Sequence, residues 1–589
     1  MSGLNPDISS LYSRALPTFR SGLFYNTYAY PTKIAPESIA VYIAAHTKPG
    51  DTVLDAFAGS GATGLAALMC EHPTESMIRI ARDLGVNPVW GPRNASLYDI
   101  STYGCFAAQI MTNPPESAEF ARAANELLSR AETALGQLYN TLDDCGEQGT
   151  LRHLVWSSVL SCPCCDEEFS FYSGMVHWNP LRIQSSGRCP HCGAEVTTQN
   201  CKYTTDVVWD SLLGHNVTFR KRVPVLVYGE TNGRKWRRGI NDTDLSAIEE
   251  INSLEMPGYC SPKPIRWGEL YRSGYHQGIT HLHHFYTKRN YLVLSYLWKE
   301  CERFTPAIRD ALRLLILSYN ETHSTLMTRV VAKHGSKDFV LTGSQSGVLY
   351  ISNLPVEKNI LKGLSRKVGS FLKAFSYVRS CSGKVSVHNV SSSQMFEADD
   401  SISYVFTDPP FGDFIPYAEV NQINELWLDS VTNRTGEAII SPSQGKDVDD
   451  YQRLLTQSFS EVRRVLKDEG LMTLIFHSSK AKVWNALACA IDDAGFNVDA
   501  TSHLDRAQSS FKQVVSSSSV KNDALILLSK KRSDLNAIVT GSEFDALRCL
   551  RNQASPELAY SEYASYCLKH GIEISLDASE AYKLVPTKG

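Results

Sequence analysis

No stretch of this 589-residue sequence reaches the roughly eighteen uninterrupted apolar residues that a membrane-spanning helix needs. The nearest run, residues 312–317, is short and contains Arg313. The opening residues, MSGLNPDISS, also lack the basic and apolar regions of a secretory signal. We therefore expect a cytoplasmic protein that makes no membrane contact.

The sequence also lacks an excess of positive charge, since its formal net charge is -4. A general positive potential is thereby excluded, and any contact with nucleic acid has to come from local patches. Residues 220–222 (RKR) and 234–238 (RKWRR) are two such patches, the second with an aromatic residue inside it. They predict either a nucleic-acid contact or an ordinary solvated cationic face.

A disulfide framework is a third absence, because the fifteen cysteines of a cytoplasmic chain this long are kept reduced. Four of them form two C-x-x-C pairs with proline or glycine at the turns, a spacing typical of a closed structural zinc site. The predicted zinc ligands are Cys162, Cys165, Cys189 and Cys192. Cys164 is an ambiguity, because it adjoins Cys165. Histidines 281, 283 and 284 form another cluster, and because Phe285 and Tyr286 follow them they favour a polar-aromatic interface over a second metal site.

The composition, 43% hydrophobic and 20% charged, is typical of a folded protein with about three or four domains. Strands alternate with helices near both ends, which predicts an α/β fold. The predicted strands are residues 53–56, 95–98, 404–407, 471–476 and 524–528, and the predicted helices are 64–70, 105–111, 116–142, 451–466 and 483–494. Between them lies a β-rich region with the cysteine pairs, followed by an aromatic and helical one. The predicted segments are 1–149, 150–265, 266–390, 391–533 and a helical extension at 534–589.

A glycine-rich turn follows the first of these strands, in the string VLDAFAGSGATG at residues 53–64. Gly59, Gly61 and Gly64 satisfy the spacing that allows a tight turn, close approach of a ligand to the backbone, and packing of helix on strand. A nicotinamide enzyme would place an acid about twenty residues further on, at a strand end. Here the acid at a strand end is Asp99, which could hold a ribose.

With residues 30–36 (YPTKIAP) before it, this turn resembles the amino-group DNA methyltransferases, in which a Pro-Thr-x-x-x-Pro-like segment precedes an Asp-Pro-Phe-x-Gly-Ser-Gly turn. Ala56 replaces the usual proline and Tyr30 a common histidine. The resemblance implies that the cofactor is S-adenosylmethionine (SAM). It implies these cofactor-binding residues: Tyr30, Thr32, Asp55, Phe57, Gly59, Ser60, Gly61 and Asp99.

A second motif, TDPPF at residues 407–411, follows another predicted strand. The exocyclic amine of a base is a poor nucleophile because its lone pair is delocalised into the ring. Asp408 and the carbonyl of Pro409 could accept its two hydrogens, and Phe411 could stack on the base. Pro409 and Pro410 stiffen the corner, because each proline fixes its own φ and restricts the residue before it. A base in a duplex would have to flip out to reach this corner.

The order of these motifs, with a cysteine-containing insertion between them, resembles a family of large zinc-ribbon DNA methylases of bacteria and archaea over residues 20–530. These enzymes often occur beside restriction or phage-defence genes. The resemblance implies a Rossmann-like fold with a mostly parallel seven-stranded sheet, split by a target-recognition insertion. It implies double-stranded DNA as substrate, and restriction or defence proteins are candidate partners. Adenine N6 is favoured over cytosine N4 because an acid begins the corner.

Three other functions are compatible with parts of the sequence. A guanine-amino RNA methyltransferase also uses an Asp-Pro-Pro-aromatic corner. A nicotinamide oxidoreductase accounts for the glycine spacing alone. A noncatalytic specificity or defence subunit would bind DNA and cofactor without turnover, although Asp408 and Phe411 favour an active enzyme.

Overall fold

The structure is a computed structural model, and it describes residues 6–19, 21–506, 523–531, 542–551 and 556–585. Its helices are α1 (Pro6–Leu11), α2 (Pro36–His46), α3 (Ala62–Met69), α4 (Glu75–Leu84), α5 (Thr102–Thr112), α6 (Ser117–Leu135), α7 (Phe171–Met175), α8 (Asp242–Ser253), α9 (Ser273–His276), α10 (Lys288–Glu300), α11 (Pro306–His323), α12 (Ile360–Arg379), α13 (Tyr417–Glu425), α14 (Val448–Val465), α15 (Ala481–Asp493), α16 (Glu543–Arg551), α17 (Pro556–His570) and α18 (Ala578–Leu584). Short 3-10 helices occupy Gly136–Tyr139, Leu282–Phe285, Cys301–Arg303, Leu426–Leu428, Arg434–Gly436 and Pro442–Gln444.

The strands are β1 (Leu16–Thr18), β2 (Thr52–Asp55), β3 (Asn94–Tyr98), β4 (Asn140–Leu142), β5 (Gln148–Ser161), β6 (Glu168–Ser170), β7 (Val176–Trp178), β8 (Leu181–Ile183), β9 (Ser186–Arg188), β10 (Glu195–Thr197), β11 (Lys202–Tyr203), β12 (Thr205–Asp210), β13 (His215–Arg220), β14 (Arg222–Thr231), β15 (Arg234–Gly239), β16 (Arg329–Val331), β17 (Val340–Thr342), β18 (Val356–Lys358), β19 (Val385–His388), β20 (Ile402–Thr407), β21 (Leu466–Phe476), β22 (Phe496–Arg506) and β23 (Ala524–Lys530).

The chain divides into two compact units. Unit 1 comprises Met1–Glu116, Lys373–Asn421 and Leu428–Gly589, and unit 2 comprises Ser117–Leu372 and Gln422–Trp427. This grouping is coarser than the five segments inferred from the sequence, which stay a prediction. The boundary predicted between 533 and 534 lies outside the described residues.

Unit 1 is built on a mixed sheet with the strand order β1-β22-β23-β21-β20-β2-β3-β19. Of its seven pairings, the two that β23 makes are antiparallel and the others are parallel. Over the described residues the sheet has eight strands rather than the expected seven, because β1 adds to β22 at one edge. The fold is α/β with a mainly parallel sheet, and this is compatible with a methyltransferase fold.

The strands at the centre of this sheet are short apolar runs that end at polar or glycine-rich turns. The β2, β3 and β20 strands are buried at almost every position, as expected for parallel strands covered by helices on both faces. Because parallel strands end on the same edge, the loops after β2, β3 and β20 emerge there together. This edge is where ligands bind in open α/β sheets.

Unit 2 contains a second sheet, ordered β11-β5-β14-β15, with β4, β6 and β18 also paired to the long strand β5. Two-stranded ribbons of β7 with β8, β9 with β10, β12 with β13, and β16 with β17 complete the β structure described there. Two of the cysteines predicted to bind zinc, Cys162 and Cys189, belong to a hydrophobic core that also contains Leu160, Phe169 and Met175. Among the helices of the described residues, none combines the length and the apolar character needed to span a membrane.

Candidate active site

The two sequence motifs lie next to each other in unit 1. Strands β2 and β20 pair in parallel, with Val53 opposite Tyr404 and Leu54 opposite Val405. Directly after these pairs, Thr407 donates a hydrogen bond from Oγ1 to Asp55 Oδ1 at 2.7 Å, across 352 residues of sequence. Both side chains are buried. One buried hydrogen bond therefore joins the strand end that leads into the glycine turn to the strand end that leads into the Asp-Pro-Pro corner.

The glycine turn has backbone conformations that L-residues rarely adopt. Gly59 has φ +50 and Gly61, at the start of α3, has φ +84. A Cβ on Gly59 would lie 2.8 Å from Tyr30 Cε1, and one on Gly61 would lie 2.7 Å from Ala108 Cβ. Gly59 thus faces the Tyr30 segment, whereas Gly61 packs against α5. The glycines therefore have separate roles, one toward the predicted cofactor site and one in packing.

Asp55, the last residue of β2, is held by three donors. Its carboxylate accepts from the Phe57 backbone N–H at 3.0 Å, from Thr63 Oγ1 at 2.6 Å and from Thr407. Burial raises the pKa of Asp55 to about 6 despite these hydrogen bonds, which act in the opposite direction. The three donors fix this carboxylate in position, and its raised pKa lies close to neutral pH. Asp55 also lines the cleft described below.

Asp99 follows β3 and binds the glycine turn directly. Its Oδ2 accepts from the Gly59 N–H at 2.6 Å and its Oδ1 from the Ser101 N–H at 2.7 Å. Burial raises the pKa of Asp99 to about 6, and the neighbouring Glu437 carboxylate raises it further than burial alone would. Asp99 also contributes to the raised pKa of Tyr30, of which burial is the main cause. The Asp99 carboxylate therefore fixes the conformation of the glycine turn and also faces the cleft.

These residues line one cleft that encloses about 1100 Å³ of space, including its open mouth. Of the predicted site residues, those lining the cleft are Tyr30, Thr32, Asp55, Phe57, Gly59, Ser60, Asp99, Asp408 and Pro410. Within the described part of the chain, Gly61, Pro409 and Phe411 do not contribute to its wall. The cleft therefore combines residues predicted to bind cofactor with the acid predicted to meet the base.

One wall of the cleft comes from the Tyr30 segment. The Tyr30 ring stacks between Tyr103, at a centroid distance of 6.2 Å, and Tyr417, at 6.5 Å. Thr32 has φ 56, and its Oγ1 hydrogen-bonds with Tyr417 Oη at 2.8 Å. The segment before α2 is thereby tied to α13, which follows the Asp-Pro-Pro corner.

The Asp-Pro-Pro corner is held in place by hydrogen bonds to Pro410 and by the packing of Phe411. The Pro410 carbonyl accepts from Tyr451 Oη at 2.7 Å and from the Gly412 N–H at 3.1 Å. Phe411 is 4% exposed, and its ring lies 5.5 Å from Phe476 and 5.8 Å from His477, centroid to centroid. Phe411 thus anchors the corner in the core of unit 1 in this structure, and its predicted stacking on a base stays a prediction.

The chemistry of the cleft suits a cationic ligand such as SAM, whose sulfonium and amino groups are positively charged. Asp55, Asp99 and Glu437 all line it. The negative charge of Glu437 raises the pKa of Asp99, and that of Asp99 raises the pKa of Asp55. A cation among them would relieve that repulsion. The residues present therefore fit the cofactor that the sequence predicts.

Several of these residues escaped the sequence analysis. Glu437 lies in a loop without a motif, and it accepts from the Ala418 N–H at 2.9 Å and from Gln444 Nε2 at 2.7 Å. Thr63 and Thr407 adjoin the two motifs, and a hydroxyl beside a buried strand-end acid is a signal that could have identified them. Nothing in the sequence marks Glu437.

The four cysteines predicted to bind zinc converge in unit 2. The Sγ atoms of Cys162 and Cys192 are 3.7 Å apart, those of Cys165 and Cys189 are 3.8 Å apart, and all four lie within 4.8 Å of one another. A tetrahedron with bonds of about 2.3 Å, the usual length from zinc to sulfur, has edges of about 3.8 Å. The thiols fit a structural zinc ion. Cys164 is exposed and lies outside this group.

Two of the three clustered histidines, His283 and His284, share one carboxylate. Asp210 Oδ2 accepts from His283 Nε2 at 2.9 Å and from His284 Nε2 at 2.7 Å. His284 Nδ1 in turn accepts from the backbone N–H groups of Thr280 and His281. Phe219 packs edge-on against His284 at 4.8 Å. This is the polar-aromatic interface that the sequence favours. The side chains of Asp210, His283 and His284 could also hold a metal ion.

Residues 14–72 match the DNA methylase family of N6 and N4 methyltransferases. The match covers the Tyr30 segment, α2 and the glycine turn, and it supports the assignment of the chain to the amino-group DNA methyltransferases. This part of the expectation from the sequence is confirmed, and the family implies SAM as cofactor and DNA as substrate. No curated protein compared with the chain gave a significant match.

Proposed function

We propose that the chain is a SAM-dependent enzyme that methylates the exocyclic amino group of a flipped base in double-stranded DNA, with adenine N6 as its target. The observation that carries this proposal is the shared cleft, in which Asp408 stands beside the glycine turn and the three carboxylates. When bound, SAM supplies an electrophilic methyl group on a positively charged sulfur. Asp55, Asp99 and Glu437 would hold this charge, and Tyr30 and Thr32 would limit its position.

Asp408 is the residue proposed to act on the base. Its carboxylate would accept one hydrogen of the exocyclic amine and the Pro409 carbonyl the other, which draws the nitrogen toward tetrahedral geometry and frees its lone pair. As the nitrogen forms its bond to the methyl carbon, the bond from that carbon to the sulfonium sulfur would break and the sulfur would leave as a neutral thioether. The surplus proton of the amine would pass to the Asp408 carboxylate and from there to water. Tyr451 and Gly412 keep the corner rigid through the Pro410 carbonyl, so these acceptors need little rearrangement during the reaction.

Zinc is proposed as a structural ion of unit 2, bound by the four clustered thiols. A four-sulfur site is closed and leaves no position for a reacting water. The role proposed for unit 2 is to read the DNA target, and the context proposed for the enzyme is restriction-modification or phage defence, both from the family that the sequence resembles.

The experiment measures transfer of labelled methyl groups from SAM to duplex DNA, with transfer RNA and ribosomal RNA as alternative acceptors. We expect label in DNA and, after digestion to nucleosides, in N6-methyladenine. Asp408→Ala should retain SAM binding and lose transfer by at least about a hundredfold, because the carboxylate meets the amine rather than the cofactor. Asp413→Ala, an exposed acid on the same loop, is the matched control and should keep most activity. Label in RNA alone, or full activity of Asp408→Ala, would overturn the assignment.

A further inference from the structure

Unit 2 contains a group of arginines and tyrosines that we call the Arg220 cluster. It lies at the base of the hairpin formed by β12 and β13. Its members are Arg220, Arg222, Arg329, Tyr203, Tyr275 and Tyr350. The cluster includes part of a basic patch that the sequence left open between a nucleic-acid contact and a solvated face.

Most other cations of the two basic patches are neutralised by neighbouring acids. The ion pairs are Lys221 with Glu168 at 2.7 Å, Arg234 with Asp143 at 2.9 Å, Arg237 with Asp338 at 2.8 Å and Arg238 with Asp244 at 2.5 Å. Arg220 and Arg222 differ from them. In the part of the chain that the structure describes, no carboxylate pairs with either guanidinium. The groups that act on Arg220 are Tyr203 and Tyr350, and the group that acts on Arg222 is Arg220.

Arg220 ends β13 and is 7% exposed, although it is a cation. Its guanidinium lies 3.4 Å from the centre of the Tyr203 ring, and its Nε is buried without a hydrogen-bond partner. Arg222 begins β14, and its Nε is buried in the same way. Burial lowers the pKa of both residues, that of Arg222 to about 10 with a further contribution from Arg220. Two cations are thus held close together with their hydrogen-bonding capacity incompletely used.

The cluster continues through Arg329 and the tyrosines. The Arg329 guanidinium lies 5.9 Å from the centre of the Tyr350 ring, and its Nη1 donates a hydrogen bond to the Gly343 carbonyl at 3.3 Å. Tyr350 packs edge-on against Tyr275 at 5.1 Å. Tyrosine rings stabilise guanidinium groups by cation–π attraction, but they do not replace a counter-ion.

Burying cations without a counter-ion is costly, so such an arrangement indicates an anionic ligand that supplies the missing charge. Guanidinium groups bind phosphate oxygens with paired hydrogen bonds. We propose that the Arg220 cluster binds a backbone phosphate of nucleic acid, an inference that rests on the proposed function for its choice of ligand. Such a contact positions the duplex without reading its sequence.

The hairpin above the cluster favours nucleic acid over free phosphate. Val207 and Trp209 point to the same face of β12 and are 66% and 63% exposed. Val208, on the opposite face, is 48% exposed. An exposed apolar ribbon that ends at a phosphate site suits bases and backbone presented together, since apolar side chains can contact or wedge between bases. Free phosphate would leave these side chains without a role.

The test measures binding of the full chain to a fluorescent 30-base-pair duplex of mixed sequence as salt is varied. Each phosphate contact contributes about 0.9 to the slope of log affinity against log salt. We expect Arg222→Gln to lower that slope by about 1 and to weaken binding roughly eightfold at about 0.1 M salt. Arg222→Lys, which keeps the charge, should restore part of the slope. Arg130→Gln, which removes an ion-paired surface arginine of unit 2, is the control and should leave the slope unchanged.

Melting temperature separates ligand binding from a structural role. Without anion, Arg222→Gln should melt at the same temperature as the parent protein or higher, because it removes a buried charge that lacks a counter-ion. Inorganic phosphate, compared with chloride at equal ionic strength, should raise the melting temperature of the parent protein and not of the variant. A lower melting temperature of the variant, or equal slopes for Arg222→Gln and Arg130→Gln, would overturn the proposal.

The outcomes also distinguish this inference from the proposed function. Parent protein that methylates DNA, together with an Arg222→Gln variant of unaltered salt dependence, would refute the cluster alone. Duplex binding through the cluster without any methyl transfer would refute the enzyme alone. Stabilisation by inorganic phosphate that a duplex does not compete with would mean a free-phosphate site, and would refute the nucleic-acid ligand.

Discussion

The hydrogen bond from Thr407 to Asp55 offers the most direct test of how the two motifs are coupled. Thr407→Val removes the donor and keeps nearly the same shape, so no large cavity forms. The bond measures 2.7 Å, and its two residues are 0% and 5% exposed. A buried hydrogen bond to a charged group contributes about 1.5–3 kcal/mol. We therefore expect the carboxyl ends of the central strands β2 and β20 to lose about 2 kcal/mol of local stability at pH 7.5.

Hydrogen exchange followed by mass spectrometry is the suitable measurement, because peptides covering β2 and β20 report the local opening free energy in a protein of two units. Thr407→Ser, which keeps the hydroxyl, is the matched control. Burial raises the pKa of Asp55 to about 6, so at pH 5 the carboxyl is largely neutral. A hydrogen bond between neutral groups contributes about 1 kcal/mol, and the difference between the two variants should shrink accordingly. Equal exchange of both variants at pH 7.5 would refute the coupling.

Two further predictions concern the cofactor and the metal. The pKa values of Asp55 and Asp99 are raised to about 6, so both carboxylates gain protons as pH falls from 7 to 5. SAM affinity measured by calorimetry should therefore fall roughly tenfold per carboxylate over this range. Asp99→Asn should remove part of this pH dependence, and an affinity that does not change with pH would contradict the role of the acids. Elemental analysis should find one zinc per chain, lost in Cys162→Ser and kept in Cys164→Ser; retention of zinc by the first variant would exclude the four-thiol site.

The centre of the sheet could be predicted from sequence because its strands are continuous apolar runs that end at distinctive turns. Strands β2, β3, β20, β21 and β23 all overlap the predicted ranges. The edge could not. Strand β1 has only three residues, one of them Pro17, and it exists through its parallel pairing with β22 nearly 490 residues away. Strand β22 does alternate apolar and polar residues from Phe496 to Leu504, which is a local signal of a strand that the sequence analysis missed, whereas β1 carries none.

One long helix was predicted over 116–142, and the structure divides this range. Helix α6 ends at Leu135, a 3-10 turn begins at Gly136, and Asn140–Leu142 pairs with β5 as β4. Glycine weakens the helix at this point, and the pairing with β5 supplies the hydrogen bonds that the helix would otherwise have made. Long-range pairing has here overridden helical periodicity, which sequence alone cannot show.

The candidate site shows the same division between local and long-range information. Asp55, Asp99 and Asp408 each follow a strand, and an acid at the carboxyl end of a parallel strand is a local signal of function. Glu437 follows no strand, and only the fold brings its carboxylate to Asp99. Its presence changes the electrostatics, because the Glu437 carboxylate raises the pKa of Asp99, and Asp99 in turn raises that of Asp55. A folded chain tolerates such repulsion where a ligand relieves it, so the residue that the sequence could not identify strengthens the case for a cation in this cleft.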